Sequence, residues 1–173
     1  MTKLRFAWEY FWHPRQMGTF MESSKSLVET VVSQMRGSRI VELGAGRGPV
    51  SRGILAKLPK DGVLTSFEIN PHLYRHLARI EDPRFTPILC GAENFESYER
   101  DAECIISGLP FTSLGKRVSR EILSRCMDYP LFIQYKYADS KRLLEQYFSS
   151  VTRIREMKNI PPAYVYVCSN EKM

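Results

Sequence analysis

The sequence predicts a doubly wound α/β domain on a mostly parallel sheet, and three features carry that expectation. Short apolar runs alternate with amphipathic helical segments, which implies parallel strands joined by right-handed crossovers. A glycine-rich turn follows the first apolar run, and two alternating runs close the chain as a hairpin-like pair. The pair predicts an antiparallel edge strand on a seven-stranded sheet.

Residues 3–13 have the pattern of a short amphipathic helix stopped by Pro14, which disfavours helix at His13. Ser26-Leu27-Val28-Glu29 has capping-box spacing and predicts a helix to about Met35. "RIVEL" (39–43) reads as the first strand and "PVSRGILAKL" (49–58) as the helix after the glycine turn. "GVLTSFEI" (62–69) is the second strand, followed by "PHLYRHLARI" (71–80), a helix with proline in its first turn. "FTPILC" (85–90), "AECIIS" (102–107) and "LFIQYKY" (131–137) are further strands. "GKRVSREILSRCM" (115–127) and "SKRLLEQYF" (140–148) are helices. "VTRIREMK" and "AYVYVCS", joined through Asn159-Ile160-Pro161-Pro162, form the closing pair.

A length of 173 residues fits one domain with a full core. With 43% hydrophobic and 25% charged residues, disorder is excluded as the chain's main character. Cys90, Cys104, Cys126 and Cys168 are scattered, without a CxxC pair or companion histidines, so no metal site and a reduced, cytoplasmic setting are expected. The N-terminus lacks the charged-then-apolar pattern of a secretory leader, and no apolar run approaches a membrane span. A net charge of +6 favours phosphate-rich partners, either nucleic acid or an anionic membrane.

The turn "VELGAGRG" places Glu42 at a strand end and Gly44, Ala45, Gly46 and Gly48 where backbone must approach a ligand at a helix N-terminus. Glu68, followed by Ile69, ends the second strand, where a carboxylate can accept hydrogen bonds from ribose hydroxyls. Dinucleotide enzymes share this logic. The Glu-x-Gly-x-Gly-x-Gly form on a single domain resembles the class I S-adenosylmethionine-dependent methyltransferases, with their Rossmann-like fold. The resemblance implies S-adenosyl-L-methionine as cofactor and S-adenosyl-L-homocysteine as product. The glycines would face the methionine part and Glu68 the ribose. "CGAENF" (90–95) falls where that family meets adenine, which implies Glu93 or Asn94 as the contact, in a loop where relatives often carry aspartate and this chain has Ala92.

After the fourth strand, "SGLPF" (107–111) aligns with the Asn-Leu-Pro-Tyr motif of rRNA adenine dimethyltransferases, with Gly108 standing where the amine-reading asparagine belongs. The Ser-Gly-Leu-Pro form instead resembles bacterial phospholipid N-methyltransferases, which methylate phosphatidylethanolamine. "HPRQMGTFMESSKSL" (13–27), "FIQYKY" (132–137) and "NIPPAYVYV" (159–167) resemble the same family. The likeness therefore spans nearly the whole chain.

It implies Ser107, Gly108, Leu109, Pro110, Phe111 and Tyr135 at the acceptor site, with Ser107 also near the cofactor. Gly108 would leave room for an alkylammonium, and Phe111, Tyr135 and Tyr137 would offer aromatic faces to it. The Leu109 carbonyl, the Ser107 hydroxyl, a tyrosine or water could take the amine's proton. Leu4, Ala7, Trp8, Phe11 and Trp12 form one stripe of the N-terminal helix, suited either to a membrane interface or to roofing the cofactor site.

The expected organisation is an N-terminal helix and lid segment over 1–23 and a methyltransferase domain over 24–173. The expected activity is methylation of a phospholipid amine by a protein held peripherally on the inner face of the cell membrane. A nucleic-acid adenine methyltransferase and a non-catalytic cofactor-binding or membrane-associating module are the alternatives.

Overall fold

The computed structural model describes residues 24–158 and 162–170. The helix expected over 3–13, its tryptophan stripe, the 1–23 boundary and most of the Pro-Pro turn lie outside the described residues.

Helix α1 (Lys25–Ser33) opens two residues earlier than the capping-box spacing predicts. Ser24 is its N-cap, and the Leu27 N–H donates to the Ser24 hydroxyl at 3.2 Å. Leu27 and Val31, one turn apart, are its buried positions. Strand β1 (Arg39–Leu43) leads through the glycine turn to α2 (Pro49–Lys57). Then follow β2 (Val63–Phe67), α3 (Pro71–Leu77) and β3 (Phe85–Ile88). A 3-10 helix over Ala92–Ser97, which the sequence reading did not anticipate, precedes β4 (Cys104–Ser107). Helix α4 (Lys116–Cys126), β5 (Phe132–Lys136), the single-turn α5 (Lys141–Leu144), β6 (Ser150–Glu156) and β7 (Ala163–Ser169) complete the described order.

The seven strands form one sheet in the order β3-β2-β1-β4-β5-β7-β6. β1 to β5 are parallel, and β7 is antiparallel to both of its neighbours. The closing pair thus forms one edge as expected; β7 lies one strand in, and β6 is the edge itself.

Both faces of the sheet are covered, as its continuous apolar strands require. On one face Leu27, Val31, Val50 and Ile54 pack with Ile40, Ile106 and Ile133. On the other, Ile122, Leu123 and Leu144 pack with Val41, Ile105 and Phe132. Strand order reverses between β1 and β4, so the loops leaving these two strands part at their carboxyl ends. That is where an open α/β sheet receives a ligand.

All four cysteines are free thiols, three of them buried. Among the described residues there is no cluster of three potential metal ligands and no helix long and apolar enough to cross a membrane.

Candidate active site

The glycine turn is built by backbone that other residues rarely adopt. Gly44, Gly46 and Gly48 have φ of 76°, 61° and 86°. At Gly44 a Cβ would also lie 2.8 Å from Leu109 Cδ2, so the turn and the acceptor loop touch through the missing side chain. The Gly44 and Ala45 N–H groups donate to the Phe67 carbonyl at 2.9 and 3.1 Å, which fixes the turn to the end of β2.

Two carboxyl groups lie beneath it. Glu42 is fully buried and does not line the cleft: the Ser51 and Ser66 hydroxyls donate to its Oε2 at 2.5 and 2.7 Å, and its Oε1 has no partner among the described residues. Burial pushes its pKa up to about 7, against the lowering effect of the two serines. Glu68 is 1% exposed; its Oε2 accepts from the Gly46 N–H and its Oε1 from the Asn70 N–H, both at 2.8 Å. Burial raises its pKa as well, while the backbone donors pull it down. Glu68 therefore pins the glycine turn in addition to facing it.

A shallow cleft opens beside the turn, lined in part by Gly44, Ile69, Glu93 and Leu109 and completed by apolar groups from Phe67, Leu114, Val118 and Ile122. Cys90 and Ala92 supply the remaining wall. Of the two residues left open for the adenine contact, Glu93 lines this cleft. Asn94 is exposed, with its Nδ2 3.5 Å from Cys90 Sγ. The 3-10 helix that carries both is held by Arg125 of α4, which donates to the Glu93 carbonyl and pairs with Glu96 at 3.4 Å. Sequence reasoning missed Arg125, because nothing in a helix's own pattern reveals which loop its basic residue reaches.

The loop over 107–111, expected to receive the acceptor, follows β4. The Gly108 N–H donates to the Leu43 carbonyl at 2.9 Å, which sets this loop against the glycine turn. Gln134, fully buried in β5, donates to the Leu109 carbonyl at 2.9 Å. A polar residue within the apolar run of β5 was the signal for it.

Three expectations need correction here. The room expected at Gly108 is filled: a Cβ there would lie 2.5 Å from the Tyr135 hydroxyl oxygen and 3.2 Å from the Gly44 carbonyl oxygen. Gly108 has no side chain because Tyr135 occupies its place. Phe111 is not presented to an acceptor either. It is 3% exposed and packs against Phe132 with ring centroids 6.3 Å apart. The proposed proton acceptors are mostly engaged or unsuited, since the Leu109 carbonyl accepts from Gln134 and the buried Ser107 hydroxyl accepts from the Leu109 N–H at 3.2 Å. The Tyr135 hydroxyl stays protonated, because burial and then the negative charge of Glu42 hold its pKa well above the ordinary value. Pro110 is half-buried in the same loop, and Tyr137 is 41% exposed at its rim.

Solved methyltransferase structures share this fold. One is the N-methyltransferase NodS from Bradyrhizobium japonicum in complex with S-adenosylhomocysteine (TM-score 0.71, 10% identity, 98% of each chain covered). Another is precorrin-6y C5,15-methyltransferase from Geobacter metallireducens (TM-score 0.70, 14% identity, 88% of this chain and 92% of that one). The fold is that of the class I methyltransferases. No family model matches the chain. Among curated proteins, an ornithine lipid N-methyltransferase from Singulisphaera acidiphila is 26% identical over 192 residues, covering 96% of this chain and 95% of the relative.

Proposed function

We propose that this chain is an S-adenosylmethionine-dependent N-methyltransferase acting on the amino headgroup of a membrane lipid. The observation that carries the lipid assignment is the end-to-end similarity to the ornithine lipid N-methyltransferase. The site's chemistry supports the cofactor. The buried Glu68 carboxylate holds the glycine turn from beneath, where a cofactor with ribose hydroxyls would meet the end of β2. The glycine cradle leaves backbone exposed where a side chain would stand off a ligand, and the apolar cleft ending at Glu93 suits a base with an exocyclic amine. Gly44, Gly46 and Gly48 would hold the methionine part, Glu68 the ribose, and Glu93 with Ile69 the adenine side.

When bound, the cofactor supplies an electrophilic methyl group on sulfur. The chain's part is alignment of the incoming amine, which supplies most of the catalysis in an in-line transfer. Tyr135 and the Gly44 carbonyl flank Gly108 where the acceptor loop meets the glycine turn. The tyrosine hydroxyl, held protonated, orients the amine through its oxygen lone pairs rather than removing the proton. The proton leaves to water at the open side of the cleft.

Phosphatidylethanolamine and ornithine lipid each present a primary amine close to a negative group, so both are candidate substrates. The tryptophan stripe over 3–13 would hold the protein on the inner membrane face from the cytoplasmic side. The direct test is incubation with methyl-labelled S-adenosylmethionine and either lipid vesicles or total RNA, with separation before counting. Label in the lipid fraction is expected; label confined to RNA overturns the reading.

A further inference from the structure

At the carboxyl end of the sheet a basic row crosses three strands. Lys136 is the Cα partner of Tyr164 on β7, and Tyr164 is the partner of Arg155 on β6. Directly paired residues share one face of a sheet, so the three side chains stand on the same side, with Lys136 and Arg155 about 10 Å apart at the backbone. The row lies at the end of the sheet from which the acceptor loop leaves. Lys136 Nζ donates to the Thr112 hydroxyl at 2.9 Å, which ties it directly to that loop.

Both cations lack a carboxylate partner among the described residues. The nearest candidates are committed elsewhere. Asp139 is held by Arg153 at 2.6 Å, the Tyr166 hydroxyl at 2.7 Å and the Lys141 N–H at 2.9 Å. Glu156, next to Arg155 in sequence, accepts from the Thr30 hydroxyl at 2.7 Å and the Lys158 N–H at 2.8 Å. Lys136 is half-buried; burial lowers its pKa while the charge of Asp139 raises it in part, so a cation only partly compensated is held away from full contact with water beside this loop. Such a charge is costly unless an anion meets it.

We propose that Lys136, steadied by Thr112, and Arg155 across Tyr164 form the subsite for the negative group of the substrate headgroup, a phosphate or a carboxylate. This rests on the lipid-amine reading above and adds to it the requirement that the substrate be zwitterionic. With the amine at the Tyr135 hydroxyl on one side of the loop, the anion is received at Lys136 on the other. A headgroup is thereby held at two points, which orients its nitrogen.

Steady-state methylation of three amines in mixed micelles tests this: phosphatidylethanolamine, ornithine lipid, and a long-chain primary alkylamine with no negative group. Lys136→Met should raise KM for the first two roughly tenfold, the loss expected of one charge-assisted hydrogen bond, and leave the alkylamine within about twofold. Lys136→Arg should restore most of the difference, and Arg155→Met should act in the same direction more weakly, since it is exposed. Affinity for S-adenosylmethionine should match the wild type in each variant. An equal change for all three amines, or none, overturns the subsite while leaving the lipid-amine reading in place. If the wild type methylates none of the three, the lipid-amine reading falls and the subsite with it.

Discussion

Gly108→Ala is the smallest perturbation that separates packing from substrate room at the acceptor loop. The new Cβ would lie 2.5 Å from the Tyr135 hydroxyl oxygen, 2.8 Å from Tyr135 Cζ and 3.2 Å from the Gly44 carbonyl oxygen. Tyr135 cannot retreat by moving its backbone, because β5 is paired on both sides and Tyr135 itself faces Val165 of β7. Either its ring rotates or the loop lifts from the glycine turn. Inserting a methyl group into a filled site costs about 1–3 kcal/mol. Denaturant unfolding of the wild type, Gly108→Ala, Tyr135→Ala and the double variant forms a closed cycle. In the Tyr135→Ala background the hydroxyl and ring are gone and only the Gly44 carbonyl remains close, so the alanine should cost less there, by more than the ~0.5 kcal/mol within which independent sites add. Methyl transfer and S-adenosylmethionine affinity should fall together in Gly108→Ala, because the Cβ presses on the Gly44 carbonyl as well. Equal costs in both backgrounds would refute the account, since Tyr135 would then not be what the glycine accommodates.

Three further outcomes follow from the same geometry. Glu68→Ala should weaken S-adenosylmethionine binding measured by calorimetry, and Glu68→Gln less so, because the glutamine carbonyl still accepts one of the two backbone N–H groups now bound by the carboxylate. Unchanged affinity in Glu68→Ala would remove the ribose assignment. Glu42, with its pKa raised from the ordinary 4.5 to about 7, is easier to ionise unfolded than folded. Its contribution to stability is therefore fully present below pH 4.5 and is lost as pH rises to about 7, a change of about 3 kcal/mol. Thermal unfolding between these limits should fall more steeply in the wild type than in Glu42→Gln, and parallel curves would refute the burial of an ionisable Glu42. Vesicles containing anionic lipid should blue-shift the fluorescence of Trp8 and Trp12, less at high salt, and no shift at any composition would argue for internal packing of that stripe.

Much of the fold was legible because its signals are local. The apolar runs of β1, β2, β4 and β5, the proline at the start of α3 and the glycines with positive φ are each decided by a few neighbouring residues. The 3-10 helix over Ala92–Ser97 was not, since its hold on the protein is Arg125, some thirty residues away in the chain. The N-cap of α1 shifted from Ser26 to Ser24 because the two serines compete for one role, and only the packed orientation of Leu27 and Val31 chooses between them.

By itself the sequence determined the alternation of strands and helices, the glycine turn with its two acidic strand ends, and a loop after β4 without a side chain at 108. Tertiary structure alone decided what fills that vacancy. Gly108 and Tyr135 meet only because β4 and β5 pair side by side, and the filled space is a property of that pairing rather than of either residue. The same holds for Lys136, Tyr164 and Arg155, which become one row through strand register. Propensity and periodicity act within a segment, whereas a site at the carboxyl ends of the strands is assembled from contacts between segments far apart in the chain.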